Sequence, residues 1–243
     1  MKLTILGRYS PYPPADGACP GYLVTSKGES LLLDCGSGVV ARLQRHIEFA
    51  QLKVVILSHL HGDHCSDIQV LRYAIDQDIR SQVDHPGITV YAPPEPDEEF
   101  RRLAYKKALW ARSLTDGQQF TVGPFRVRVQ ETDHPLTCFA VRIEDGQHTL
   151  TYTGDTAFFP QLAEFARGSD LLLAEASLSP TEEGFRGHMT GAQAGHLAEA
   201  ARVKQLMLTH FWPASDPKSL ANAASDMTAA PVWVAEEDQT YSV

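Results

Sequence analysis

The sequence predicts an α+β fold: two sheets packed together with helices outside, forming a single four-layer domain over residues 1–243. Three observations carry this. Strand-like segments follow one another through the front of the chain, strands alternate with helices in the last third, and no Pro/Gly/Ser-rich linker or low-complexity stretch divides the chain. With 243 residues and 43% hydrophobic content, there is enough apolar material for a core of that size.

Residues 3–6 read as the first strand. Tyr22-Leu23-Val24-Thr25 and Leu31-Leu32-Leu33 flank Ser26-Lys27-Gly28-Glu29, a hairpin pattern. The glycine-rich turn Asp34-Cys35-Gly36-Ser37-Gly38 precedes Val39, Val40, Leu43 and Ile47, which recur at helical spacing. The apolar run Val54-Val55-Ile56-Leu57 is the next strand, and Ile68, Leu71 and Ile75 mark a helix beginning near Cys65 or Ser66. Ile88-Thr89-Val90-Tyr91 is a further strand. After prolines at 93, 94 and 96, Asp97-Glu98-Glu99 opens a helix expected to carry Arg101, Arg102, Lys106, Lys107 and Arg112. Acidic residues at its start and basic ones towards its end suit the helix dipole, so this basic cluster reads as a solvated face rather than a polyanion contact.

Phe125, Val127 and Val129 alternate in a strand over 125–133. Phe139, Val141 and Ile143 form another, which Asp145-Gly146 turns into residues 148–152. The last third gives a helix (162–166), a strand (171–173), a helix (191–202) opened by the Thr190/Gln193 capping box, a strand (206–208) and a final strand (232–234).

Thirty acidic against 21 basic residues give a net charge of −9, which argues against a general nucleic-acid binder; no strong nucleic-acid-binding surface is expected. Cys19, Cys35, Cys65 and Cys138 form no CxxC pair, so buried thiols are expected rather than a zinc knuckle or disulfide framework. The apolar stretch at the N-terminus is too short for a signal peptide and no run reaches transmembrane length. The expectation is a cytoplasmic protein with no membrane contact.

The most informative segment is His59-Leu60-His61-Gly62-Asp63-His64. Three imidazoles and a carboxylate within six residues, directly after a strand, deliver four donors on one short loop. Imidazole suits zinc, iron and manganese, and a carboxylate beside it extends the range towards harder cations. Three later residues complete the set, each a good ligand placed after an expected strand: His134, Asp155 in Thr153-Gly154-Asp155-Thr156, and His210 in Leu208-Thr209-His210. Donors at strand ends have the rigidity a metal site requires.

With these residues in this order, the chain resembles the metallo-β-lactamase superfamily, and Asp34-Cys35-Gly36 matches its early Asp-x-Gly turn. The resemblance implies an αββα sandwich holding two divalent ions. One would take His59, His61, His134 and Asp155, the other Asp63, His64, Asp155 and His210, with Asp155 and a hydroxide bridging. Five histidines and two aspartates without thiolate favour zinc, then manganese. Aspartate at 155, where true metallo-β-lactamases usually carry cysteine, moves β-lactam hydrolysis down the order.

Gly187-His188-Met189-Thr190 with Ala192, Ala194 and Ala198, and Glu175-Ala176-Ser177, resemble the phosphodiesterase branch that contains ribonuclease Z. That likeness implies a dinuclear phosphodiesterase. In it Asp63 holds the nucleophile's proton, His188 contacts a phosphate oxygen or protonates the departing alkoxide, and Glu175 orients His188. Ribonuclease Z inserts a long tRNA-gripping arm between the residues matching His134 and Asp155. Here only twenty residues intervene, so the likeness is to small armless bacterial members, with a small phosphodiester or an RNA end as substrate and a homodimer as the expected assembly. A carboxylic ester, lactone or thioester hydrolase with the same centre is the alternative enzyme. A non-catalytic metal-binding module is the alternative of another class, and the full ligand set argues against it. Asp34 and Asp133 are the candidate acceptors for the outward nitrogens of ligand imidazoles. His46, His85, His148 and His196 need no special role.

Overall fold

A computed structural model describes residues 1–81, 85–179 and 187–243, which divide into two compact units, Met1–Leu114 with Glu237–Ser242 and Thr115–Glu236 with Val243.

The first unit holds β1 (Lys2–Gly7), β2 (Gly21–Ser26), β3 (Glu29–Leu33), α1 (Val39–Leu43), β4 (Leu52–Ile56), α2 (Gly62–Cys65), α3 (Ile68–Arg80), β5 (Ile88–Ala92), α4 (Asp97–Arg101) and β6 (Leu109–Ser113). The second holds β7 (Gln119–Val122), β8 (Phe125–Glu131), β9 (Phe139–Glu144), β10 (Thr149–Tyr152), α5 (Pro160–Ala166), β11 (Leu171–Glu175), α6 (Gly191–Ala201), β12 (Leu206–Thr209), α7 (Pro217–Ser225) and β13 (Val232–Val234). The chain then returns to the first unit as β14 (Thr240–Ser242).

Among the described residues, each unit is built on one seven-stranded sheet, ordered β14-β1-β2-β3-β4-β5-β6 in the first and β13-β12-β11-β10-β9-β8-β7 in the second. The two sheets share a plan. β14, β1, β2 and β3 are antiparallel neighbours and β3 to β6 are parallel; β7, β8, β9 and β10 are antiparallel and β10 to β13 parallel. Periodicity explains the strands. β8 alternates buried and exposed positions, as a strand covered on one face does, whereas all of β11 is buried, as suits a strand inside the parallel half. In α3, Ile68, Leu71 and Ile75 fall on one buried stripe.

Three expected elements are corrected. The helix expected over 39–47 stops at Leu43, because the next amides tighten onto i−3 carbonyls, Arg45 N–H to Arg42 O and His46 N–H to Leu43 O. The helix opened by Asp97 ends at Arg101; Lys106 has φ +47, which an α-helix cannot continue, and Arg112 lies on β6. The helix expected to begin near Cys65 or Ser66 begins at Ile68, as α3, and a separate single turn, α2, precedes it over Gly62–Cys65. The basic residues of the 97–112 stretch match the solvated reading: Arg101 pairs with Asp97, Arg102 with Glu98 and Lys106 with Asp76.

α6 begins on the expected box: Gln193 N–H donates to Thr190 Oγ1 at 3.2 Å, and Thr190 N–H donates to Gln193 Oε1 at 2.9 Å. On its inner face a Cβ at Gly191 or Gly195 would lie 2.2 Å from Leu220 O or 2.3 Å from Ala224 O, so only glycine lets α6 approach α7 this closely. Thr190→Ala should cost about 1 kcal/mol, read as a lowered midpoint in urea unfolding with an unchanged slope. Among the described residues, no helix is long and apolar enough to cross a membrane.

Candidate metal centre

In the first unit the donors follow β4. His59 and His61 lie on the loop after it, and Asp63 and His64 lie on the single turn of α2, so the six-residue motif is part loop and part helix. Gly36 permits this: a Cβ there would lie 1.8 Å from Asp63 O and 2.6 Å from Cys19 Cβ. The Asp34-Cys35-Gly36 turn is stitched to α2 by Cys35 N–H to His64 O (2.8 Å) and Asp67 N–H to Cys35 O (3.0 Å).

Asp34, His59 and His64 are fully buried, and Asp34 accepts His64 Nδ1–H on Oδ2 at 2.8 Å, the contact expected of it. Asp34 also accepts from Ser58 N–H (2.7 Å) and Ser58 Oγ–H (2.9 Å), while Ser58 Oγ lies 3.1 Å from His59 Nδ1. Ser10, 53 residues upstream, donates its hydroxyl to Asp63 Oδ2 at 2.8 Å.

In the second unit the donors again lie just beyond the parallel strands. Asp155 follows β10, Glu175 ends β11 and His210 follows β12, with His134 in the turn after β8. Thr132 Oγ1–H fixes the backbone of Asp155 through its carbonyl at 2.8 Å. His134 Nδ1 is 3.0 Å from Leu136 O. Asp133 is exposed and its hydrogen bonds to Thr156 and Ala157 run through its backbone, so the expectation that it orients an imidazole is not met.

Glu175 is fully buried. Its Oε1 accepts Thr156 N–H at 2.9 Å and lies 2.8 Å from His188 Nδ1; its Oε2 accepts Ser177 Oγ–H at 2.7 Å. Ser177 Oγ also lies 2.7 Å from His210 Nδ1. His188 stacks on His210 with ring centroids 5.6 Å apart and planes at 23°, and its side chain is 19% exposed. Gly187 at φ +90 leads into it, where a Cβ would meet Pro135 Cδ at 2.6 Å. Asp155, Glu175, His188 and His210 thus gather ligand atoms within 4.8 Å of one another.

The donor atoms are crowded in the way a cation requires. His59 Nε2 and His61 Nδ1 are 2.9 Å apart, His64 Nε2 and Asp63 Oδ2 3.6 Å, and His210 Nε2 and Asp155 Oδ1 3.1 Å. In His64 the opposite nitrogen is turned to an acceptor, and in His134 Nδ1 lies 3.0 Å from Leu136 O and 3.3 Å from Leu136 N. Nitrogens and carboxylate oxygens converging in pairs, on rings anchored from behind, fit a divalent metal. Asp34 and His210 hold this arrangement at φ +55 and +63, left-handed conformations that cost of order 1–3 kcal/mol each and cluster at functional sites. Cys19, Cys35 and Cys138 are buried thiols as expected, and burial pushes the Cys19 thiol up to about 12 and the Cys65 thiol up to about 11.

Sequence reasoning missed Ser10, Ser58 and Ser177. Ser58 carried one usable signal, its place directly before the first histidine of the motif. The other two make contacts 53 and 33 residues apart in sequence.

Residues 29–211 match the beta-lactamase superfamily domain. The chain belongs to that family. It is 36% identical over 212 residues to the probable metallo-hydrolase YhfI of Bacillus subtilis, covering 87% of each chain, and 28% identical over 239 residues to the ribonuclease Z of Mycobacterium tuberculosis, covering 89% of this chain and 88% of that one. The crystal structure of YhfI, a metallo-beta-lactamase fold protein, superposes with a TM-score of 0.95 at 33% identity over 99% of this chain and 98% of that one. Human tRNase Z, short form, shares the fold, with a TM-score of 0.79 at 21% identity over 100% of this chain and 99% of that one. The α+β metallo-β-lactamase fold expected from the sequence is therefore the fold of this family member. The β9–β10 hairpin occupies the segment between His134 and Asp155, which leaves no length for an arm there.

Proposed function

We propose that the chain is a dinuclear metal-dependent hydrolase that cleaves phosphodiesters, its two units serving one catalytic domain. His59, His61, His134 and Asp155 would hold one ion; Asp63, His64, Asp155 and His210 would hold the other, with zinc the favoured metal and manganese the next. Bound there, such ions supply Lewis-acid charge that polarises a phosphoryl oxygen and brings the pKa of water towards neutrality.

The chain's own groups do the rest. Asp63, fixed through Oδ2 by Ser10, is the carboxylate that takes a proton from the attacking water. His188 delivers a proton from Nε2 to the departing alkoxide, while its Nδ1–H is held by Glu175 Oε1, whose buried negative charge stabilises the imidazolium. The observation that carries the phosphodiester reading is this His188–Glu175 pair, 2.8 Å apart beside Asp155 and His210. A thioester or an aryl ester, whose leaving group departs as a stable anion, does not need such an independently anchored proton donor. The short β9–β10 hairpin favours a small phosphodiester or an RNA end over a tRNA precursor.

Protein purified without chelator and saturated with zinc should approach two metal equivalents per chain by elemental analysis. A plateau at one equivalent would exclude the shared role of Asp155. Turnover of the loaded protein on bis-aryl phosphate, cyclic nucleotides, lactones and thioesters tests the substrate class; activity confined to the last two would transfer the assignment to carbonyl chemistry.

A further inference from the structure

We infer that Ser58 and Ser177 are positioning residues that set the tautomers of His59 and His210. Each links a buried carboxylate to a ligand imidazole through a single hydroxyl proton. The inference rests on the proposed role of both histidines as metal ligands, but the hydrogen-bond logic is independent of it.

A serine hydroxyl has one proton to give, and an ionised carboxylate can only accept. In the first unit Asp34 takes Ser58 N–H on Oδ1 at 2.7 Å and, on Oδ2, His64 Nδ1–H at 2.8 Å and Ser58 Oγ–H at 2.9 Å. With its proton committed to Asp34, Ser58 Oγ can only accept from His59 Nδ1, 3.1 Å away. His59 therefore carries its hydrogen on Nδ1, and Nε2 presents a lone pair. That lone pair faces His61 Nδ1 at 2.9 Å, where a cation would be shared.

The second unit repeats the device with different residues. Ser177 Oγ lies 2.7 Å from Glu175 Oε2 and 3.0 Å from His210 O; the shorter contact is to the charged acceptor, which takes the proton. Ser177 then accepts from His210 Nδ1 at 2.7 Å, which leaves a lone pair on His210 Nε2 opposite Asp155 Oδ1 at 3.1 Å, two acceptors that a shared cation would bring together. Asp34, Ser58, His59, Glu175, Ser177 and His210 are all fully buried, so water does not compete for these protons. Glu175 has a second task, because its other oxygen holds His188. One carboxylate thus orients both a ligand and the proton donor.

The test uses metal-free, 15N-labelled full-length protein under conditions where the imidazoles are neutral, with tautomers read from long-range proton–nitrogen correlations. In the wild type, His59 and His210 should both be Nδ1–H. Ser177→Ala should release the Nε2–H form of His210 and leave His59 unchanged; Ser58→Ala should do the converse. Zinc affinity, measured by competition with a chromophoric chelator, should fall about tenfold to a hundredfold in each variant. An Nε2–H tautomer at either histidine of the wild type would overturn the relay at that site, and this measurement does not depend on the variants folding. Unchanged tautomers with unchanged zinc affinity in both variants would overturn it as well. Nδ1–H tautomers in a wild-type protein that takes up no zinc would keep the relays and reject the metal-ligand reading instead.

Discussion

Asp63→Asn should keep most of its affinity for the first zinc equivalent and lose about a hundredfold to ten-thousandfold in turnover. The substitution is isosteric, and the hydroxyl of Ser10 will take the amide oxygen as its acceptor, as it now takes Oδ2 at 2.8 Å. That places the NH₂ group at the other position of the fork, so a proton acceptor is replaced by a donor. The amide is also the weaker ligand, and His64, whose Nε2 lies 3.6 Å from Asp63 Oδ2, loses a charged neighbour. His59 and His61 are untouched, and so are His134 and Asp155 in the other unit. Metal analysis together with steady-state kinetics separates the two effects. Wild-type turnover in a verified Asp63→Asn protein would exclude this carboxylate as the proton acceptor.

His188→Ala should keep its metal content and lose about a hundredfold to ten-thousandfold on an alkyl phosphodiester. An alkoxide is a poor leaving group and needs the proton that His188 supplies. An aryl diester departs with little protonation and should be affected far less. Equal losses on both substrates would indicate that the imidazole stabilises charge on the phosphoryl oxygens instead. No loss on either would reject the phosphodiesterase assignment and leave ester or thioester cleavage in its place. Glu175→Gln is the companion variant: it retains the shape of the contact at 2.8 Å but removes the charge that supports the imidazolium, so a smaller loss in the same direction is expected.

The strands that build the two cores were legible because they are long or strongly patterned: the alternation of β8, the apolar run of residues 171–174 in β11 and the hairpin of β2 and β3. What escaped sits mostly at sheet edges. β7 has no buried residue, β14 has three residues, and in β6 only Leu109 is buried while Trp110 is 50% exposed. A strand paired along one side and wetted on its faces carries no hydrophobic period to read. α7 is different, since Asp216 before Pro217 is a helix-start signal that pattern reading could have used, and Asp216 does accept Lys218 N–H at 3.1 Å. Of the site, the metal-type donors were legible from residue chemistry at strand ends, and Asp34 from its turn. Of the serines only Ser58 carried a signal, its place before the first histidine; the roles of Ser10 and Ser177 were not legible, because a hydroxyl's meaning comes from what the fold brings to it.

The hairpin tips lie at the other end of the strands that lead to Asp34 and towards Asp155. Lys27 and Gly28, at φ +51 and +81, close the two-residue turn from which β3 runs to Asp34, and Gly146 sits in the turn from which β10 runs towards Asp155. A Cβ at Gly28 or Gly146 would meet nothing within 4 Å. A strand of four or five residues spans roughly 13–17 Å at about 3.3 Å per residue, so each tip stands about that far from the other end of its strand. These two turns are therefore the natural handles of the molecule. A fluorophore, an affinity tag or a surface tether attached there would report on the chain or immobilise it while leaving the far end of each strand unobstructed.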